Sequence, residues 1–240
     1  MQTLILKESK LFLTTEFFVR KVNFSKTKVF FLALTIFFFS FISNTFPDVR
    51  GKLLYFSSTS VYGNYNGGWV DENSRLLPKT SRGILRKKTE TSYLSLFKLF
   101  GLPIHIFRLP GIYGPDRSVF DKIQNGELTE IIKKDHFFSR VYVEDIGSAI
   151  CKSMNKPTPG EVFNLCDDMP CQSSEIIRYA ASLKKISKIK TLSYDDPKLN
   201  EKVRSFYFDN KRVRNLKIKK ILDWTPKYGN YKLGLKRILE

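Results

Sequence analysis

The sequence predicts an α/β fold with a mostly parallel sheet and helices on its faces. Short apolar runs of strand length alternate with longer stretches whose apolar residues recur at helical spacing. The loops that leave two of these runs are rich in glycine and hydroxyl groups, which suits strand ends that face a ligand. With 240 residues, 42% of them hydrophobic and 27% charged, the chain has material for a sizeable core.

The first 50 residues stand apart, because they hold no glycine; the first is Gly51. Val29 to Pro47 carries no charge, and its VFFLALTIFFFSFI portion is intensely apolar. Nineteen uncharged residues approach the length that spans a bilayer, but Ser40, Ser43, Asn44, Thr45 and Pro47 dilute the second half. The reading adopted is a buried strand and helix against a sheet, with a membrane anchor through residues 29–47 as the alternative. The lysines and arginines before this stretch would hold the N-terminus in the cytoplasm, and a span would export the rest. Export conflicts with Cys151, Cys166 and Cys171, which form neither a CxxC pair nor an even framework. These cysteines suit a reducing compartment, and a cytoplasmic location is expected.

From Lys52 onward the elements follow in order. KLLYFSS reads as a buried strand that opens into a loop. Thr80 to Phe100 reads as a helix, with Ile84, Leu85, Tyr93, Leu94, Leu96, Phe97 and Leu99 at largely helical spacing. Gly101-Leu102-Pro103 stops it, as glycine then proline should. IHIFRL is the next strand and PGIYGP the loop after it. VEDIGSAICKSM reads as a helix with Glu144 and Asp145 in its first turn, where acids favour the helix dipole. GEVFNL is a short strand, and SSEIIRYAASL a helix with Ser173 as its cap and Glu175 nearby. Near the end, Arg212, Arg214, Lys217, Lys219 and Lys220 interleave with Val213, Leu216 and Ile218, as on an amphipathic helix with a solvated face.

The formal net charge of +18 raises the question of a polyanionic partner. Most of the lysines are scattered, and no zinc-finger, RNP-like or homeodomain pattern accompanies them, so a nucleic-acid partner is not expected. Attraction to an anionic nucleotide ligand is the functional alternative to a merely solvated surface. Two histidines, His105 and His136, give a zinc site little material, and no metal is expected. Asp167-Asp168 is read as a loop, and Arg108 as a core partner of an acid ahead of a phosphate ligand.

Taken in order, several pieces carry a more specific signal. They are the strand with SSTSVYG, then VDENSRLLP, a long helix, GLPIHIFRLPGIYGP, FSRVYVEDIGSAI, GEVFNLCDD and DNKRVRNLKIKKILDWTPKY. Together they resemble the extended short-chain dehydrogenase/reductase family, which includes NAD-dependent epimerases and dehydratases of nucleotide sugars. The resemblance runs from about Lys52 to the C-terminus, about four-fifths of the chain. It implies a Rossmann-type core lacking part of the first βαβ half, plus a small C-terminal α+β substrate lobe. The expected division is an atypical segment 1–50 and a reductase/epimerase-like domain 51–240, its lobe mainly from about residue 115 on. The implied cofactor is NAD or NADP, and the implied ligand a nucleotide sugar or related small molecule; the oligomeric state is left open.

The resemblance also assigns positions. Ser58 stands at the catalytic serine or threonine, which hydrogen-bonds the reacting hydroxyl or carbonyl. Ser57, Arg86, Pro110 and Gly111 fall on the cofactor side, and Tyr62, Tyr113 and Tyr142 on the substrate side. Two departures bear on the chemistry. Arg82 occupies the place of the family's acid/base tyrosine, and Arg86 that of its lysine; arginine does not release its proton at working pH. The glycine-free front lacks the GxxGxxG turn whose helix N-terminus takes the pyrophosphate, so cofactor binding is expected to be weakened or lost. Tyrosine–lysine pairs at the same step, Tyr194/Lys198, Tyr207/Lys211 and Tyr228/Lys232, lie off the relevant helix and are read as structural. The sequence thus leaves open an oxidoreductase or epimerase, a non-catalytic ligand-binding or regulatory module on the same scaffold, and a truncated inactive product.

Overall fold

The computed structural model of the chain describes residues 12–13, 53–126, 128–156 and 158–240. Along the chain these form β1 (Phe12–Leu13), β2 (Leu53–Ser58), a 3-10 turn (Thr59–Tyr62), β3 (Trp69–Val70) and α1 (Ser81–Phe100). β4 (Ile104–Leu109), β5 (Gly111–Tyr113), α2 (Val119–Gln124), β6 (Thr129–Ile132), β7 (Arg140–Tyr142) and α3 (Val143–Met154) follow. The remainder is β8 (Glu161–Asn164), α4 (Ser173–Leu183), β9 (Lys190–Ser193), α5 (Glu201–Ser205), β10 (Arg212–Val213), α6 (Leu216–Leu222) and α7 (Tyr231–Leu239).

One sheet has four strands in the order β1-β2-β4-β8, and three two-stranded sheets pair β3 with β10, β5 with β7, and β6 with β9. All three small sheets are parallel, as is the β1–β2 pair. β4 is buried at all six positions, so IHIFRL shows no alternation of apolar and exposed residues, and His105 and Arg108 are buried with the rest.

Two compact units divide the chain. In the first, Leu53 N–H donates to Pro103 O at 2.9 Å and the Tyr55 and Tyr93 rings meet at 5.1 Å. The second holds most of the described residues and two apolar clusters. One gathers Tyr113, Phe120, Tyr142, Ala180, Tyr228 and Leu235; the other gathers Val61, Tyr62, Val70, Cys166 and Val213.

Several sequence expectations are met and others are corrected. The helices over Ser81–Phe100, Val143–Met154 and Ser173–Leu183 and the strands in KLLYFSS, IHIFRL and GEVFNL are present. PGIYGP is not simply a loop, because Gly111–Tyr113 pairs in parallel with Arg140–Tyr142. The stretch 212–220 is not one helix. Arg212–Val213 is a strand paired with Trp69–Val70, and the helix begins only at Leu216. The residue before α4 is Gln172 rather than Ser173, with Glu175 accepting the Gln172 N–H at 2.8 Å. Residues 29–47 lie outside the described residues; among the described ones, no helix is long and apolar enough to cross a membrane.

Candidate functional site

The SSTSVYG stretch is the end of β2 and the 3-10 turn that follows. Side chains alternate along a strand, so Ser57 and Ser58 face opposite ways. Ser57 is buried and its hydroxyl donates to Glu90 Oε1 at 2.5 Å. Ser58 is half-buried and its Oγ accepts the Ser60 N–H at 3.1 Å, capping the turn. The Ser58 hydroxyl proton is left to donate elsewhere, since a hydroxyl both donates and accepts.

Two glycines fix this turn. Gly63 adopts φ +72°, and a Cβ there would lie 2.0 Å from Leu77 O. Gly83, in the first turn of α1, brings that helix against the loop; a Cβ there would lie 2.8 Å from Ser60 O and 2.9 Å from Pro78 Cβ. The helix start is closed by Thr80, whose Oγ1 accepts the Gly83 N–H at 3.1 Å and whose carbonyl accepts the Ile84 N–H at 2.9 Å.

Beneath the turn runs a buried polar chain. The Arg108 guanidinium grips the Glu90 carboxylate through Nη2 to Oε2 at 2.7 Å and through Nε to both oxygens at 3.1 and 3.2 Å. Arg108 and Glu90 are 4% and 2% exposed, so both charges have left water and are compensated by each other. Arg108 Nη1 also donates to the Tyr62 hydroxyl at 2.8 Å, and that hydroxyl donates to Asn164 Oδ1 at 2.7 Å. Asn164 Nδ2 donates to Arg214 O at 3.1 Å and its backbone N–H to Glu72 Oε1 at 2.7 Å. Burial pushes the Tyr62 hydroxyl well above its ordinary range, against the pull of Arg108, so it stays protonated. Tyr62 is therefore a strut under the loop, with no exposed surface for a ligand. Arg108 fulfils its expected core role, with Glu90 as the acid.

Arg82 and Arg86 sit early in α1, Arg82 exposed and Arg86 half-buried. Gly111 opens β5, where a Cβ would make only ordinary contacts, 3.7 Å from Arg140 Cγ and from Ser139 O. Tyr142 is 1% exposed and packs on Tyr113 at 5.3 Å and on Tyr228 at 4.3 Å. Tyr113 is also largely buried, yet its side chain forms part of a cavity wall. Asp145 does stand in the first turn of α3, and it does more than that. Its carboxylate accepts the N–H groups of Lys227 and Tyr228 at 2.7 and 3.0 Å, and burial raises its pKa. Asp168 accepts Asn215 Nδ2 at 2.8 Å and Lys219 Nζ at 2.5 Å. Among the described residues, no three His, Cys, Asp or Glu side chains gather as metal ligands.

The cavity, about 190 Å³, opens between α2, α4 and α7 and carries three cations on its walls: Arg117, Lys122 and Arg140. Tyr113, Tyr231 and Ile176 supply its apolar surface. Arg140 is braced by donating Nη1 to Phe138 O at 3.0 Å and by contact with Cys171 Sγ at 3.3 Å. It has no carboxylate partner within ion-pair distance among the described residues. A small cavity with unneutralised cations and tyrosines favours a compact ligand that combines negative charge with a polar ring. Sequence reasoning had found only Tyr113 of these residues. Arg140 sits in the quoted FSRVYVEDIGSAI segment, but its role depends on α4 and α7 arriving from elsewhere in the chain.

The described residues meet the requirements of a nicotinamide dinucleotide only in part. Ser58 closes β2, Pro110-Gly111 joins β4 to β5, and Arg86 lies in α1. No glycine-rich turn opens any of the described helices of eight or more residues, so these residues offer no cradle for the pyrophosphate.

No protein-family model matches the chain. Protein YeeZ of Escherichia coli (strain K12) is 30% identical over 115 residues, which are 48% of this chain and 39% of that protein. The chain thus spans well under half the length of the curated relative it matches. A functionally unknown conserved protein from Silicibacter pomeroyi DSS, solved as a structure, is 40% identical and superposes with a TM-score of 0.76 over 83% of this chain and 70% of that one. The dTDP-glucose 4,6-dehydratase of Bacillus anthracis str. Ames, solved in complex with NAD, is 21% identical, with a TM-score of 0.67 over 82% of this chain and 63% of its own. The fold of this chain is therefore the Rossmann-type α/β fold of such dehydratases.

Proposed function

We propose that the chain is an atypical extended short-chain dehydrogenase/reductase-like protein that binds a nucleotide sugar or a related phosphorylated small molecule. The cavity with Arg117, Lys122 and Arg140 carries this reading, since those cations sit beside tyrosines and Arg140, though its charge acts on buried Asp167, has no carboxylate within ion-pair distance among the described residues. The dehydratase fold supports it as well, because the neighbour solved with NAD acts on dTDP-glucose. In this reading Arg140 and Arg117 take the ligand's phosphates, Tyr113 and Tyr231 line its apolar side, and Ser58 offers a hydroxyl to the reacting end of the ligand. The reading places NAD or NADP, when bound, against Ser58, Pro110 and Gly111, where it would supply hydride transfer. Tyr62, Glu90 and Arg108 hold the Ser58 loop and touch no ligand.

A second reading, binding without turnover, is favoured by one observation. Arg82 stands where a proton donor and acceptor is needed, and it holds its proton throughout the working pH range. No reaction step is assigned to the chain on that ground.

Calorimetric titration of the purified chain with UDP-glucose and dTDP-glucose tests the proposal. Binding is expected, and Arg140→Ala should weaken it about tenfold or more, as for an arginine anchor stripped from a pocket. Absence of binding by either sugar nucleotide, or an Arg140→Ala variant that binds like the parent, refutes the assignment. Formation of a keto-sugar product after long incubation with NAD would remove the second reading and leave the first.

A further inference from the structure

A group of planar side chains, none of which lines the cavity, gathers along the β3–β10 pair. β10 runs parallel to β3 with Arg212 opposite Trp69 and Val213 opposite Val70. Arg212 N–H donates to Gly68 O and Arg214 N–H to Val70 O, each at 2.9 Å. Strand alternation turns Val213 into the core and leaves Arg212 and Arg214 on the outer face. There each guanidinium carbon lies 5.1 Å from the centroid of the Trp69 ring, and that of Arg212 lies 4.9 Å from the Phe137 ring. Phe137, Arg212, Trp69 and Arg214 thus alternate aromatic and cation. Trp69 is 42% exposed and Arg214 is exposed.

Two properties of this stack have no use inside the fold. Stacking occupies the faces of a guanidinium and leaves its in-plane N–H donors at the edge. Arg212 commits its Nε–H to Gly67 O at 2.7 Å. Neither arginine has a carboxylate within ion-pair distance among the described residues. The second property is that the stack ends on a cation, Arg214. The group that continues it is a planar π system, with its anionic charge beside the plane rather than on it. A nucleotide residue has that pairing, a base for the plane and a phosphate for the guanidinium edges. An acidic peptide offers carboxylates without the plane. The net charge of +18 does not point to nucleic acid without a recognisable motif; joined to this face, it favours a ligand that repeats the pairing along a strand.

We propose that the face formed by Trp69, Arg212 and Arg214 binds single-stranded nucleic acid, with a base on the Arg214 guanidinium and backbone phosphates on the edges of Arg212 and Arg214. The sequence concealed this face because Arg212-Val213-Arg214 resembles part of a charged helix and Trp69 is remote along the chain. The proposal is independent of the ligand assigned to the cavity.

Fluorescence anisotropy of a labelled oligothymidylate of about 15 nucleotides, long enough to cross one such site, provides the test with the full chain. Binding is expected and should weaken as salt rises. Arg214→Ala should weaken it about tenfold, the size of a lost stacking contact. Arg214→Lys keeps the charge and removes the plane, and should weaken it nearly as much. Arg140→Ala, in the cavity, should leave it unchanged. Arg214 is exposed, so both of its variants should melt like the parent; Trp69→Ala provides a second disruption of the stack, again with weaker binding expected. Absence of binding overturns the proposal. So does an Arg214→Lys variant that matches the parent, which marks plain charge attraction, and so does heparin displacing the oligonucleotide as well as an unlabelled strand does. Binding of free UMP without binding of the strand overturns it too, by assigning the face to mononucleotides.

Discussion

Glu90 is the residue on which the loop scaffold turns. It has no signal in the sequence, being one more acid in a lysine-rich helix, and its partners Ser57 and Arg108 come from two strands. Removing one half of a buried pair strands the other charge in a low-dielectric interior. Glu90→Ala should therefore cost about 3–5 kcal/mol in urea-unfolding free energy. Replacing Arg108 by Met in the same chain should recover part of that loss, because the unpaired cation is gone. A surface-like loss below about 1 kcal/mol for Glu90→Ala would contradict the burial of the pair. Arg108 was legible as a core cation because it lies within a mostly apolar strand; its acid was not, because burial on a helix face depends on what packs there. Ser58 and Tyr62 share the SSTSVYG wording, yet Ser58 caps the turn while Tyr62 belongs to the support beneath it.

At the scale of elements, long periodic or continuous apolar segments were readable and two- or three-residue strands were not. β2 and β4 are apolar because both faces are covered, and α3 and α4 show clear helical spacing. β5 and β10 escaped because Gly111–Tyr113 looks like a turn and Arg212–Val213 like the start of a helix; only their pairing partners make them strands. α1 has helix-forming composition, yet Gly83 and Glu90 are its only buried residues, and Gly83 brings its first turn directly against the neighbouring loop. Gly83→Ala tests that. Alanine favours a helix by about 1 kcal/mol, but here its Cβ meets backbone and ring atoms of the neighbouring loop. The expected outcome is a net loss of roughly 1–3 kcal/mol, read from thermal melts. A stabilised variant would show that the helix start is free to shift.

Across the whole molecule, two buried titratable groups with unpartnered atoms should shape the pH dependence of stability. Burial raises Asp167 from 3.8 to about 8, and its Oδ2 has no hydrogen-bond partner. Between those values the unfolded chain has lost the proton that the folded chain keeps, so stability falls as pH rises toward 8. Burial, with Lys133 and Lys211, lowers His136 from 6.5 to about 4, and its Nε2 is also unpartnered. Below pH 6.5 the unfolded chain takes a proton that the folded chain refuses, so this contribution falls as pH drops. The two slopes add to a gain in stability from about pH 8 down to 6.5, followed by near-cancellation down to about 4. Denaturant midpoints measured across that range should show this shape. In Asp167→Asn the gain should vanish and the acid-side loss should stand alone; an unchanged profile would place the titration elsewhere.

The interlock of Ser57, Glu90, Arg108 and Tyr62 also bears on how a sequence like this one drifts. Arg82 stands exposed, so its position can change in a single step at little cost to the fold. The interlock is less tolerant, since loss of Glu90 or of Arg108 leaves the other charge buried alone, and loss of the Tyr62 hydroxyl leaves Asn164 Oδ1 without its donor. Two positions of SSTSVYG, Ser57 and Tyr62, are thus held by the interior, whatever the loop does at its surface.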